Sequence, residues 1–398
     1  MENIVCNGCS LLCDDVSAVV SGKSVSSLGF CRLGHTHLET AVTHRVTSKE
    51  KNLEKAADIL AGAESLLLYG WTHATNEAIK EGMELAKTLN GHFGSTADLG
   101  PRQAMSHSIH SKGLDIDLEY VRNNGEFIIY WGSDPSESLH RHASRFAVLP
   151  RGEKIPEGIE SRTIGVIDVR QTETMKMANH RLILEAGADA ELLEIIISEL
   201  EGKSSIKGTV LGIPGSELIG FVSGLQKSDC TVIFYGGGII NSGNQDANLS
   251  GIAKLVEVLR SIGKEAYTLP MFVQSNTMGL IKTSSETKSE AGSLQRLTLG
   301  EFDTSLIVGD DVLTNLPGPA AKALAKTKIV YVGPPGGFTD EKAAVSIHTA
   351  DTIIAGSGTM TRLDMDKIEF KKWKASKDDT TNTDVLQNLH ELVRKKNA

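Results

Sequence analysis

Four of the five cysteines lie in the first 31 residues, as Cys6, Cys9, Cys13 and Cys31, spaced C-x2-C-x3-C-x17-C. Three thiolates at short offsets let one turn present three sulfurs to an iron–sulfur cube, and a returning loop supplies the fourth. A structural zinc ion more often uses two separated C-x2-C knuckles, each giving two corners of a tetrahedron. The spacing therefore points to a [4Fe–4S] cluster, with zinc or a redox disulfide as the alternatives. His35 and His37, close to Cys31, are either substitute ligands or plain polar residues. Cys230 opens an apolar run and reads as an inert core thiol.

A second set of residues stands at the ends of apolar runs. Gly70, Gly132, Gly236 and Gly237 each follow or close such a run. Glycine there permits a positive φ or close backbone approach to a ligand, and a phosphate can sit at the helix start that follows. Asp168 ends another run and precedes Arg170, so it is placed to hold a ribose or a base edge, or to cap a turn. No Walker lysine motif and no complete G-x-G-x-x-G follows any of these runs, which argues against ordinary NTP or NAD binding.

The elements that carry these residues alternate between strand and helix. The 39 glycines and 5% aromatic content fit an α/β protein with tight strand-to-helix turns. The expected fold is a small N-terminal Fe–S domain followed by two pseudo-symmetric parallel-sheet α/β lobes. Three segment pairs suggest the duplication. LLLYGWTHATNEAIKEGMELAKTL resembles VIFYGGGIINSGNQDANLSGIAKLVEVL, FIIYWGSDP resembles SLIVGDDVL, and VIDVRQTETMKMA resembles IVYVGPPGGFTDEKAA. The expected division is 1–50 for the cluster domain, 51–224 and 225–371 for the lobes, and 372–398 for a polar linker with an amphipathic, surface or partner-docking helix. A formal net charge of −9 argues against a nucleic-acid partner. No apolar stretch is long enough to span a membrane and no secretory signal is visible, so a cytoplasmic protein is expected.

The run VCNGCSLLCDD followed by FCRLGH resembles the B subunit of formylmethanofuran dehydrogenase, in the molybdopterin oxidoreductase superfamily. YWGSDPSESLHRHASRF, VIDVRQTETMKMAN, FYGGGIINSG and GSGTMTRLDMDKIEF continue the likeness along most of the chain. The resemblance implies a bis-molybdopterin guanine dinucleotide carrying Mo or W, held between the two lobes. It also implies a [4Fe–4S] relay and reduction of CO2 to a formyl group. The implied partners are a β-barrel cap subunit and an amidohydrolase-type subunit. Two segments depart from the family pattern. In TADLGP, Asp98 and Leu99 stand where the resemblance implies the metal-binding cysteine and a histidine. In PMFVQSN, Phe272 and Gln274 stand where it implies an arginine and a histidine. Asp98 is thus either an oxygen ligand to the metal or a relic that caps its own turn, with His73, His92 and Arg102 as possible substitutes for the lost groups. The corresponding functions are a redox subunit of a formylmethanofuran dehydrogenase and a redox-inactive scaffold subunit of a formyltransferase/hydrolase-type complex.

Overall fold

The computed structural model describes residues 1–21, 24–43, 50–110, 113–203, 205–284, 292–373 and 380–397. The chain forms two compact units. The first comprises Met1–Leu99, Gln274–Arg362 and Lys367–Ala398; the second comprises Gly100–Val273 and Leu363–Asp366.

Each unit is built on a five-stranded parallel sheet. In the first unit the spatial order is Val345–His348, Lys328–Gly333, Thr304–Val308, Leu66–Gly70, His92–Phe93. In the second it is His180–Ile183, Thr163–Asp168, Phe127–Trp131, Cys230–Tyr235, Glu265–Pro270. The central strands LLLYG, TSLIV, FIIYW and CTVIFY are buried at every position. That continuity is what a parallel sheet covered on both faces demands. Read in these orders, Leu66–Gly70 matches Cys230–Tyr235, Thr304–Val308 matches Phe127–Trp131, and Lys328–Gly333 matches Thr163–Asp168. These are the three segment pairs expected from the sequence.

The lobe boundaries differ from the expected ones. Strands of the segment 51–224 fall in both sheets, as do strands of 225–371. The second unit is inserted between Leu99 and Gln274 of the first. Consecutive strands pair within each stretch of chain, and two long-range pairings, Thr304–Val308 on Leu66–Gly70 and Cys230–Tyr235 on Phe127–Trp131, join those stretches into the two sheets.

Inside each sheet the strand-end turns are tied by the same clasp. Asp134 accepts from the Glu173 and Thr174 amides at 3.1 and 3.2 Å and from the Thr174 hydroxyl at 2.6 Å. Asp311 accepts from the Phe338 and Thr339 amides at 3.0 and 2.7 Å and from the Thr339 hydroxyl at 2.6 Å. Each threonine oxygen in turn accepts from the amide two residues past its aspartate, Ser136 or Leu313. Four matched bonds at matched positions make the duplication visible at the residue level.

The N-terminal segment is part of the first unit, not a separate domain. Its strands Glu2–Ile4, Val16–Ser21 and Ser24–Leu28 form an antiparallel meander, and helix Arg32–Thr43 follows. Leu12 is fully buried in a cluster with Met360, Ile368 and Phe370. The tail also departs from expectation. Helix Asn382–Asn397 packs on helices Glu50–Ala61 and Asn76–Thr88, burying Val385, Leu386, Leu389 and Val393. Its His390 bonds to Glu81 at 2.6 Å and to Thr88 at 2.8 Å. An apolar stripe at helical spacing has found its cover within its own unit. Part of the expected linker, 374–379, lies outside the described residues. No described helix is long and apolar enough to cross a membrane.

Candidate functional site: a thiol loop and the strand-end turns

The cysteine loop folds back on itself, with the Cys6 amide donating to the Cys13 carbonyl at 2.9 Å and the Leu12 amide to the Cys9 carbonyl at 3.2 Å. Leu12 adopts a positive φ of 40° to make the reversal, a conformation its full burial holds in place. Helix Arg32–Thr43 brings Cys31 back to this loop. Two glycines mark the meeting point. A Cβ on Gly34 would stand 2.9 Å from the Cys6 sulfur and 3.7 Å from the Cys31 sulfur, and one on Gly8 would stand 3.5 Å from the Cys6 sulfur. The Gly8 amide points at Cys6 Sγ at 3.5 Å and the Gly34 amide at Cys31 Sγ at 3.4 Å. Burial, joined by the charges of Cys9, Cys13 and Cys31, pushes the Cys6 thiol well above its ordinary range, against the Gly8 amide bond. Cys9, Cys13 and Cys31 thus all lie near enough to Cys6 to act on its thiol. No disulfide joins any of the five cysteines. Among the described residues no three His, Cys, Asp or Glu side chains are gathered closely enough to hold a metal ion as they stand.

The two nearby histidines are engaged elsewhere. His37 Nε2 lies 2.9 Å from Asn7 Oδ1 and 3.4 Å from Asp351, whose carboxylate also accepts from Asn7 Nδ2 at 2.8 Å. Burial drives the Asp351 carboxyl upward. The His37 charge, the bonds from His37 and Asn7, and the Ile353 amide outweigh it and hold the group far below the usual carboxylate range. His35 lies 2.8 Å from Ser27 and 3.3 Å from Glu39. Cys230 is buried in its strand, and burial together with Glu265 and Glu126 pushes its thiol up to about 12, as an unreactive core thiol requires.

The glycines at the strand ends serve mostly the backbone. Gly70 has φ +109° and its Cβ would stand 2.7 Å from the Val308 carbonyl. Gly132 and Gly238 pack backbone to backbone, and Gly236 lies against Gly132 and Ser133. Gly237 faces open space, with Asn241 Nδ2 its one near neighbour. Gly132, Asp168 and Gly236 end neighbouring strands of one sheet, while Gly70 ends a strand of the other. Asp168 caps its own turn, accepting from the Arg170 amide at 3.2 Å. Burial raises its carboxyl above the ordinary value, against bonds from Arg170 and Val169. Arg170 reaches across to Glu137 at 3.2 Å.

Beyond Gly70 the turn is held by a residue not singled out from the sequence. Asp310 accepts from the Thr72 amide and hydroxyl at 3.0 and 2.7 Å, from the His73 amide at 3.0 Å, and pairs with His73 Nδ1 at 2.7 Å. Burial lowers the affinity of His73 for a proton. The bond to Asp310 and the charges of Asp310 and Asp351 reverse that, so its value ends above the ordinary one.

Asp98 sits in a short turn, Thr96–Leu99, beside helix Thr277–Ser284. Its Oδ2 accepts from the Ser95 amide at 3.1 Å and from the Ser293 hydroxyl at 3.4 Å. Ser293 Oγ lies 2.8 Å from His92 Nε2, and His92 Nδ1 lies 2.9 Å from Arg296 NH1. Because a guanidinium only donates, Nδ1 must accept. The Nε2 proton then goes to Ser293, and the Ser293 proton to Asp98. This tautomer cannot take a proton from Ser293, so the chain is a positioning relay for Asp98 and not a nucleophile with its base. Buried and without a described partner in the same unit are Tyr69 Oη, Trp71 Nε1 and Ser95 Oγ, and the Tyr69 hydroxyl is pushed up by burial and then by Asp98 and Asp310. Gln274 is half-buried in the first unit and Phe272 is buried in the second.

No family profile matches the chain. The B subunit of the tungsten-containing formylmethanofuran dehydrogenase 2 of Methanocaldococcus jannaschii is 26% identical over 411 residues, covering 94% of this chain and 93% of the relative. The protein of the same name from Methanococcus maripaludis is 25% identical, covering 93% of each chain. Among solved structures, a chain of the formyltransferase/hydrolase complex FhcABCD from Methylorubrum extorquens, solved with methylofuran, superposes with a TM-score of 0.65. That match covers 89% of this chain and 99% of the other at 15% identity, a likeness of fold. Along nearly its whole length, then, the chain resembles the B subunit of tungsten-containing formylmethanofuran dehydrogenase.

Proposed function

We propose that this chain is the iron–sulfur subunit of a cytoplasmic, formylmethanofuran dehydrogenase-type complex that reduces CO2 to a formyl group. Cys6, Cys9, Cys13 and Cys31 would hold a [4Fe–4S] cluster, which supplies one-electron transfer when bound. The observation that carries this reading is the approach of the Cys6 and Cys31 sulfurs to each other around Gly34, with a backbone amide aimed at each of them and Cys9 and Cys13 on the same folded-back loop. Amide bonds to sulfur stabilise the negative charge of a ligated cluster. Four thiolates on a cube each take a separate iron corner, so they need not converge as the ligands of one zinc ion do. An electron relay has no use in a purely hydrolytic complex. The relatives named above act in formylmethanofuran chemistry, and partner subunits would supply the amidohydrolase site and the β-barrel cap.

The position of Asp98 favours a second, narrower statement: molybdenum or tungsten is not ligated there. Its Oδ2 is already committed to Ser95 and Ser293, and a carboxylate is harder than the thiolate it replaces by resemblance. The scaffold would keep its shape without that ligand.

Two variants of the intact complex test these statements. Cys31→Ser should lose most of its bound iron, and unchanged iron would refute the cluster assignment. Asp98→Ala should leave CO2 reduction by a low-potential carrier within about twofold of the parent, while loss of activity with metal retained would restore Asp98 as a ligand.

A further inference from the structure

The two sheets end in equivalent turns, and those turns are filled differently. Val308 pairs with Gly70 in one sheet as Trp131 pairs with Tyr235 in the other. The Trp71 amide then bonds to the Val308 carbonyl at 3.0 Å, as the Gly236 amide bonds to the Trp131 carbonyl at 3.1 Å. By this register Thr72 corresponds to Gly237, Asp310 to Ser133 and Asp311 to Asp134. In the first unit the Asp310 carboxylate occupies the turn, taking two amides, one hydroxyl and one imidazole. In the second unit the same place holds Ser133, whose hydroxyl turns to Met271 at 3.2 Å. The Gly238 amide there bonds to the Gly132 carbonyl at 2.9 Å, and Gly237 lies exposed.

Backbone amides at the crest of a parallel sheet are the usual receivers of a ligand phosphate. An anion can enter the first unit's turn only by displacing a carboxylate that is 3% exposed and bonded four times. A second negative charge beside it would be repelled, and a displaced Asp310 would be left with its bonds unmade. We infer that Asp310 is a built-in anion that closes the first unit's strand-end turn, so that the chain retains one guanine nucleotide, through the second unit, where the family resemblance implies two. The inference rests on the proposed membership of a formylmethanofuran dehydrogenase-type complex, whose resemblance implies a guanine dinucleotide cofactor, and it disagrees with that resemblance over the first unit.

The test is a count of guanine nucleotide released by denaturing the anaerobically purified complex. One guanine per chain is expected. Two would overturn the closure while leaving the cofactor reading intact; none would overturn the cofactor reading itself, and the inference with it. A second measurement uses GDP as probe in equilibrium dialysis with complex stripped of nucleotide. Asp310→Ser, which copies the residue at the equivalent place, should raise the capacity from one GDP to two, whereas Asp310→Asn, which keeps an oxygen acceptor for the amides, should stay at one. An Asp310→Ser variant that folds, as judged by retained iron, and still binds one GDP would count against the closure.

Discussion

At the scale of single residues, burial decides what each polar group can do. His142 is fully buried against Tyr130 and Phe234, and burial pushes its imidazole down to about 3. Its Nε2 has no partner among the described residues. The unfolded chain takes up a proton near pH 6.5, while the folded chain resists until about pH 3. Protonation therefore favours unfolding. The contribution of His142 is complete above pH 6.5 and is lost progressively as pH falls toward 3. Asp351 behaves similarly in a lower window, because its folded carboxyl lies below the ordinary value and its contribution is lost only as pH falls below about 4. Between pH 7 and pH 5 the histidine term alone amounts to roughly 2 kcal/mol. Replacing His142 by Leu should remove that part of the acid sensitivity in chemical denaturation at the two pH values. An equal loss of stability in variant and parent would show that the imidazole is not buried neutral.

At the scale of elements, the strands were legible because their apolar runs are continuous, and only a doubly covered sheet accepts such runs. The order of the two units was not legible, because LLLYG at 66–70 carries no mark of pairing with TSLIV at 304–308 rather than with a nearer strand. The clasps were hidden for another reason. Asp134 and Thr174 look like ordinary turn residues, and only their repetition as Asp311 and Thr339 gives them away. The signal was present in the pairing of GSDP with GDDV, where an aspartate closes both turns. The fold-back of the cysteine loop, with the Cys6 amide on the Cys13 carbonyl, is in keeping with the short spacing of its three cysteines. Ser293 and Asp310 were not, since each acts through a partner about two hundred residues away in sequence. Thr174 and Thr339 are both fully buried. Thr174→Val or Thr339→Val keeps the volume but removes the hydroxyl, which leaves a part-buried aspartate short of a donor and the Ser136 or Leu313 amide short of an acceptor. Each should cost about 1–3 kcal/mol in urea denaturation, and a cost near zero for both would mean that the clasps do not hold the turns.

At the scale of the molecule, the chain is a first unit interrupted by a second whose sheet repeats the same strand types in a permuted chain order, with a thiol loop and a tail helix in the first. That arrangement accounts for the near full-length resemblance to the dehydrogenase subunit and for the shared fold with a chain of a formyltransferase/hydrolase complex. What separates an electron-carrying subunit from a scaffold is the content of the loop at Cys6, Cys9, Cys13 and Cys31. Iron, sulfide and zinc should therefore be measured in protein purified without oxygen, alongside the paramagnetic resonance spectrum of the dithionite-reduced sample. The expected result is close to four irons and four sulfides per chain with the signal of a reduced cube. Stoichiometric zinc in place of iron, or neither metal in protein that is otherwise folded, would contradict the assignment.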